Sequence, residues 1–515
     1  MSKRFPGRRL SIVRLALVVA VVVALVVGGV WGFRWWQDNQ LAQARAPWYA
    51  SYVDATATPE YAFETATDEV GRNVVLGFVV AATPDECTPT WGTHYTLEAA
   101  QTDLDLDRRI ARLRQAGGDV IVSFGGLLNT DLSVACGSVD DLAGQYRAIT
   151  DRYHLTTIDL DIEGEALTDT AAAERRAEAV AQIQREQIDA GDAPLQVWLT
   201  LPVAADGLTA DGVAVLQAFV DAGATVAGIN AMTMNFGADA DDMADLVVPA
   251  LEGTHRQLMA VYADAGAPVG GQTAWRMVGA TPMAGQNDVV TEVFTLDDAR
   301  KLNAFALEHG IGRVSMWSAN RDRPCSAAYV DLTVVSDSCS GFPQGDETFA
   351  AILGDGFTGT PDQAATASPP ATLRPEDIVD HAATSPYPIW DAEASYPVDT
   401  RVVWRRNVYV AMWWTMGTQP DDPSVAILDN PWRLIGPVLQ GETPVPTLSL
   451  PDDFYPSWVS TEAYSGGDRV MLGGIAYEAR WWTQDDNPAA GQLDPGDSPW
   501  RVLTQAEISS LLDGE

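Results

Sequence analysis

The sequence predicts an α/β protein: a (β/α)8 TIM-type barrel, then two small all-β modules, with a transmembrane helix at the N-terminus. Three observations carry this. From about Asn73, strand-like apolar runs alternate with amphipathic helical stretches, the pattern of a parallel sheet joined by crossover helices. Residues 156–164, TTIDLDIEG, alternate Ile158, Leu160 and Ile162 with Asp159, Asp161 and Glu163, a strand with three carboxylates on one face. The last quarter of the chain repeats itself after a shift of 68 residues, Trp390 onto Trp458.

Bulk properties narrow the partners. A chain of 515 residues with 47% hydrophobic content holds more than one core. Its 70 acidic and 32 basic residues leave a formal charge of -38, which repels phosphate backbones and excludes a nucleic-acid partner. Five histidines occur without an HExxH pattern, so zinc-hydrolase and Ser-His-Asp chemistries lose their basis, and no cofactor or metal is expected. Four cysteines without a CxxC pair suit two disulfides made in an oxidising compartment, paired as Cys87 with Cys136 and Cys325 with Cys339.

The N-terminal segment, residues 1–48, opens with Lys3, Arg4, Arg8, Arg9 and Arg14. Residues 15–33 then run without a charge, near the roughly 20 residues that span a bilayer. A basic flank stays in the cytoplasm, so this helix is expected to be a signal anchor that holds the rest on the extracellular face of the membrane. The alternative is secretion after cleavage near Ala44, where Ala42-Gln43-Ala44 offers a small-residue site.

The barrel is assigned to residues 49–355. Its strand candidates are residues 74–81 (VVLGFVVA), 120–126 (VIVSFGG), the acidic strand, 195–203 (LQVWLTLPV), 226–234 (VAGINAMTM), 277–283 (MVGATPM) and 313–318 (RVSMWS). Helical stretches such as 171–190 and 296–309 separate them. Seven strands are visible, so the irregular segment between Ala82 and Gln101 is expected to hide the eighth. In such barrels chemistry sits at the C-terminal ends of strands, where Asp161 and Glu163 fall.

Three carboxylates roughly 6.5–7 Å apart on an inner face disfavour each other's ionisation, so at least one holds or shares a proton at neutral pH. The bland alternative is a solvated strand face, but such faces mix acids with Lys, Thr and Ser. Other strand ends also carry chemistry. Residues 123–126, SFGG, permit close backbone approach or simply make a tight turn. Residues 232–236, MTMNF, place Asn235 where it either bonds a substrate or caps the next turn. Trp317 offers an aromatic face, or else packs in the core.

Taken in order, SFGG, the D-x-D-x-E strand end, MTMNF and MWS resemble family 18 glycoside hydrolases, the chitinase family, over roughly residues 73–340. GATPMAGQND at 279–288 and WSANRD at 317–322 look like its bacterial branch. The resemblance implies that Glu163 is the general acid and that Asp161 steadies the substrate's own 2-acetamido group as it attacks the anomeric carbon. It implies that Asp159 shares a proton with Asp161, and that configuration is retained. Trp317 would floor the sugar subsite and Asn235 would touch the acetamido region, with Met232, Ser123 and Gly125 also against substrate. Two positions depart from the family pattern. Thr156 stands where a further Asp opens the acidic motif, deepest in the barrel, and Asn235 stands where an Asp beside a Tyr is common.

A linker rich in Ala, Thr and Pro follows at 356–386. Modules are assigned to 387–437 and 455–503, joined by 438–454 and closed by a tail at 504–515. The repeat superimposes Tyr396 on Tyr464, Tyr409 on Tyr477, Trp413-Trp414 on Trp481-Trp482 and Trp432 on Trp500. Trp390, Tyr409 and their equivalents are expected in slim cores. Neighbours on a strand face opposite ways, so at least one tryptophan of each adjacent pair should be exposed. The spacing is similar to chitin-binding modules of carbohydrate-binding families 5 and 12, which implies that Trp413, Trp414, Trp481 and Trp482 stack on sugar rings.

The expectation is a monomeric, exported, chitinase-type glycoside hydrolase, an endo-β-1,4-N-acetylglucosaminidase acting on chitin or a related N-acetylglucosamine polysaccharide. One rival is a catalytically weak chitin- or cell-wall-glycan-binding protein on the same barrel. Another is a metal-dependent barrel enzyme in which Asp159, Asp161 and Glu163 ligate Mg²⁺ or Mn²⁺.

Overall fold

The computed structural model describes residues 12–43, 46–66, 70–237, 242–326, 335–361, 378–426, 429–444, 448–490 and 497–513. Ala44, the basic residues up to Arg9 and linker residues 362–377 lie outside the described residues. The chain divides into two units, Met1–Ala367 and Ser368–Glu515.

In the first unit eight parallel strands close a barrel. β1 is Trp48–Tyr49 continued by Ser51–Asp54, β2 is Asn73–Thr83, β3 Asp119–Gly125 and β4 Thr157–Asp161. Then come β5 Gln196–Ala204, β6 Gly228–Met232, β7 Val278–Thr281 and β8 Arg313–Val314. Each strand pairs in parallel with the next, and β8 closes the ring onto β1, with Arg313 opposite Trp48.

The eighth strand is therefore upstream, at residues 48–54, and not between Ala82 and Gln101. That segment folds back on β2 as antiparallel Glu86–Trp91, which pairs in turn with Tyr95–Thr96. The reason is local: WYASYVD is a short run, shared between two pieces, with too little periodicity to stand out in sequence.

The barrel helices include α2 Leu106–Gln115, α3 Val139–Tyr153, α4 Thr170–Ala190, α5 Ala210–Asp221, α6 Ala244–Asp264, α7 Gly271–Arg276 and α8 Leu296–His309; α1 precedes them at Ile12–Gln43. Their starts are written in the sequence. Ser138, Asp169 and Thr209 accept from first-turn amides of α3, α4 and α5, and Thr295 with Asp298 makes a reciprocal capping box on α8. Ile158, Leu160 and Ile162 enter the hydrophobic core with Ile149, Val180 and Ile183 of α3 and α4, which leaves the alternate carboxylates of β4 to face the barrel interior. The disulfides Cys87–Cys136 and Cys325–Cys339 are both formed, as paired from the sequence.

The transmembrane anchor expected over residues 15–33 is not supported. Among the described residues no helix is long and apolar enough to cross a membrane. α1 runs on past the uncharged stretch, and its C-terminal end docks on the barrel. The Asp38 carboxylate accepts from the Gln272 and Thr273 amides at 3.0 Å, capping α7, and the Ala42 carbonyl accepts from Arg276 at 2.9 Å.

The second unit holds two copies of one small β module. The first has three antiparallel strands, Arg401–Trp404, Asn407–Ala411 and Trp432–Pro437, and a two-stranded ribbon of Ser395–Tyr396 with Thr415–Met416. The second repeats this with Arg469–Leu472, Ile475–Ala479, Trp500–Val502 and a ribbon of Ala463–Tyr464 with Thr483–Gln484. Tyr396, Tyr409 and Trp432 are buried in one core and Tyr464, Tyr477 and Trp500 in the other, with Trp390 and Trp458 packed against them. Trp413, Trp481 and Trp482 are exposed while Trp414 is half-buried. Both tryptophans of the second pair emerge together because each pair lies on a bend between strands, where strand alternation does not apply. Residues 504–515, expected as a tail, contain the helix Gln505–Asp513, whose Ile508 packs with Leu450, Met471 and Leu503.

Candidate active site

The acidic row of β4 is divided by its surroundings. Asp159 is fully buried. One of its oxygens accepts from the Tyr52 phenol and the Ser123 hydroxyl, each at 2.8 Å, and the other from Thr200 at 2.7 Å and the Arg313 guanidinium. These donors arrive from β1, β3, β5 and β8, so only the closed barrel brings them together. Arg313 also donates to the Tyr52 oxygen at 3.0 Å and to Ser315 at 2.8 Å, and lies over the rings of Trp48, Tyr52 and Trp198. Burial pushes the Tyr52 phenol well above its ordinary range, so it stays a neutral donor. Four donors thus converge on the Asp159 carboxylate.

Asp161 is the opposite case. It is 4% exposed, and its Oδ1 has no hydrogen-bond partner among the described residues. Burial raises its carboxyl well above the usual range, and the Glu163 and Asp159 carboxylates push the same way while Arg313 opposes them. Its surroundings thus disfavour the charged form of Asp161.

Glu163 follows β4 in extended backbone, just before the short helix Gly164–Thr168. Burial, and then the Asp288 carboxylate, raise it to about 7. Asp288 is held in turn by Asn235, which donates its amide to Asp288 at 2.8 Å and accepts from the Val289 amide at 3.2 Å. Asn235 has φ 53°, a left-handed conformation that Asn tolerates, and this turns its side chain onto the 285–292 loop.

A cleft of about 410 Å³ opens at the C-terminal ends of the strands, lined by Asp161, Glu163, Asn235, Met232 and Trp317 among others. Trp317 stacks on Phe78 with centroids 5.4 Å apart and planes 23° apart, so Phe78 braces the indole ring. Ser123 and Gly125 lie beneath this cleft. Ser123 is fully buried against Asp159. Gly125, at φ 98°, has no room for a side chain, because a Cβ would stand 2.2 Å from the Asp161 carbonyl oxygen, which accepts from the Gly126 amide at 2.9 Å. SFGG is thus the brace under the acids. Thr156 precedes β4 and is exposed at the opposite mouth, not deep in the barrel.

Sequence reasoning missed Tyr52, Phe78, Thr200, Arg313 and Asp288. Tyr52 lay in the strand that was not recognised, and Thr200 and Arg313 sit in ordinary apolar runs. Asp288 closes GATPMAGQND, the motif that could have found it. Among the described residues no group of three His, Cys, Asp or Glu side chains is placed to hold a metal ion, and the Arg313 guanidinium sits against Asp159, where a metal-ligand reading needs a cation.

A closed βα barrel with a buried Asp161 and a Glu163 raised to about 7 at its C-terminal mouth is the arrangement of a glycosidase-like site. Comparison with known proteins specifies it. The "Probable bifunctional chitinase/lysozyme" of Escherichia coli (strain K12) is 37% identical over 289 residues, covering 54% of this chain and 31% of that protein. Endochitinase 11 of Metarhizium anisopliae is 35% identical over 291 residues, covering 54% of this chain and 53% of that one. The matching region thus spans a third to a half of these relatives. The crystal structure of the catalytic domain of a hyperthermophilic chitinase from Pyrococcus furiosus superimposes with a TM-score of 0.51 at 27% identity, over 60% of this chain and 95% of that one. Residues 457–501, in the second module, match the model of carbohydrate-binding module family 5/12. The first unit is a chitinase-like barrel, and the second carries a module of family 5/12 type.

Proposed function

We propose that this chain is an exported chitinase-type hydrolase that cleaves β-1,4-linked N-acetylglucosamine polymers with retention of configuration, by a substrate-assisted route. The observation that carries the proposal is the pairing, in one cleft, of a buried Asp161 whose Oδ1 has no partner among the described residues with a Glu163 raised to about 7. Glu163 gives its proton to the glycosidic oxygen as the bond to the leaving sugar breaks. The substrate's acetamido oxygen closes on the anomeric carbon, and Asp161 bonds the acetamido nitrogen and stabilises the positive charge that develops there. The Trp317 ring, braced by Phe78, supports the pyranose through its C–H face. Glu163 then takes a proton from the water that opens the cyclic intermediate.

The exposed tryptophans of the two modules supply further weak sugar contacts, and two such sites on one insoluble polymer raise its residence time. The two disulfides support an extracellular place of action. The test is product analysis on defined N-acetylglucosamine oligomers with anomer detection. The β-anomer should appear first, and Glu163→Gln should abolish turnover while oligomer binding persists. An α-anomeric first product, or a variant as fast as its parent, overturns the assignment.

A further inference from the structure

The charge of the cleft is as one-sided as that of the chain. Asp54 lines it from the end of β1, Asp161 and Glu163 from β4, Asp288 from beyond β7 and Asp337 from beyond β8. Carboxylates thus meet in the cleft from four directions. Among the described residues that line it there is no lysine or arginine, and His94 is the one imidazole. Arg313, below, is fully buried and engaged by Asp159, Tyr52 and Ser315, so it offers a ligand nothing. The outer carboxylates are held in place: Asp288 by Asn235, and Asp337 two residues from Cys339 of the disulfide. Asp161 adds a buried carboxyl whose Oδ1 lacks a protein partner.

A cleft lined by one sign of charge, with apolar walls such as Phe78, Met283 and Trp317, focuses its field on whatever enters. A fully acetylated polymer is neutral and gains nothing from that field. Free amines on the same backbone are ammonium groups that it attracts, whereas carboxylates on it are repelled and desolvated without a counter-charge.

We propose that this cleft selects its polysaccharide by charge, preferring partly deacetylated, ammonium-bearing N-acetylglucosamine polymers and rejecting those that carry carboxylates. The proposal rests on the hydrolase assignment above and names the substrate class of the same site.

The test uses the full chain and three soluble oligosaccharide sets of equal length: fully acetylated, partly deacetylated and carboxymethylated. At about 20 mM salt, KM should be roughly tenfold lower for the deacetylated set, and roughly tenfold higher for the carboxymethylated set, than for the neutral one; at about 0.5 M salt both gaps should shrink to threefold or less. Asp337→Asn, at an exposed position, and Asp54→Asn should narrow the gaps at low salt without that help. Equal KM values for the three sets at low salt, or gaps that neither salt nor these substitutions reduce, overturn the proposal. Absence of hydrolysis on all three would instead sink the hydrolase assignment. Calorimetric titration of the parent and Asp337→Asn with the same sets then decides the charge preference by itself, equal affinities overturning it.

Discussion

Arg313 of β8 and Asp159 of β4 form an ion pair across the barrel in which both side chains are 0% exposed. It splits a row of three carboxylates into one that is paired at depth and two that line the cleft. The same guanidinium also fixes the Tyr52 hydroxyl and so ties β1, the least obvious strand, into the ring.

That pair predicts a strong asymmetry between single and double variants. Arg313→Met leaves Asp159 buried without its counter-charge and should lower stability by about 3–5 kcal/mol, measured by urea unfolding. Asp159→Asn combined with Arg313→Met removes both charges and should recover much of that loss. A double variant no better than the sum of its singles would show that the pair acts through packing alone.

Glu163 predicts the alkaline side of the pH profile. As general acid it must carry a proton, so kcat/KM should fall as pH rises through about 7. Asp288 is the second cause of that elevated value after burial, so Asp288→Asn should move the limb toward acid and lower activity at pH 8 by roughly two- to fivefold. The sign for stability is the same: a carboxyl raised on folding favours the fold at low pH, and that contribution is lost as pH rises from about 4.5 to about 7. Glu163→Gln should therefore be more stable than the parent at pH 8 and equal to it near pH 4. An unshifted profile in Asp288→Asn would leave burial as the whole cause.

Gly125→Ala tests the brace beneath the acids. The added methyl group meets the Asp161 carbonyl oxygen at 2.2 Å in a backbone of φ 98°, so either Asp161 moves or the turn does. A loss of about 2–4 kcal/mol in thermal or chemical unfolding is expected, with activity falling further than stability explains. Gly117→Ala is the control, since nothing stands within 4 Å of its Cβ position although its φ is 84°. Equal effects at the two positions would mean that backbone strain, and not the clash, dominates.

The second module separates surface from core tryptophans. Trp482 is exposed, whereas Trp500 is 3% exposed and donates its indole N–H to the Asp486 carbonyl at 2.9 Å. Trp482→Ala should weaken retention on insoluble chitin by roughly threefold to tenfold with the melting curve unchanged. Trp500→Ala should cost about 3–5 kcal/mol of module stability, seen as a separate early transition. Unaltered retention in Trp482→Ala would remove this tryptophan from the binding face.

The sequence by itself determined the elements whose signal is local. The acidic alternation of residues 158–163, the glycines of SFGG and the repeat from Trp390 to Trp458 each act within a few residues or by self-comparison, so each was legible in one dimension. Tertiary structure alone decided what surrounds each carboxylate. Asp159, Asp161 and Glu163 look alike along the chain, yet Asp159 meets Arg313, more than 150 residues away, while burial raises Asp161 and Glu163, with Asp288 adding to the rise at Glu163. Electrostatic energy follows distance and local dielectric in space, and neither can be read from separation along the chain. The same holds for β1, recognised only when its amides meet β8, and for α1, whose polar end is a docking element because Asp38 finds the start of α7.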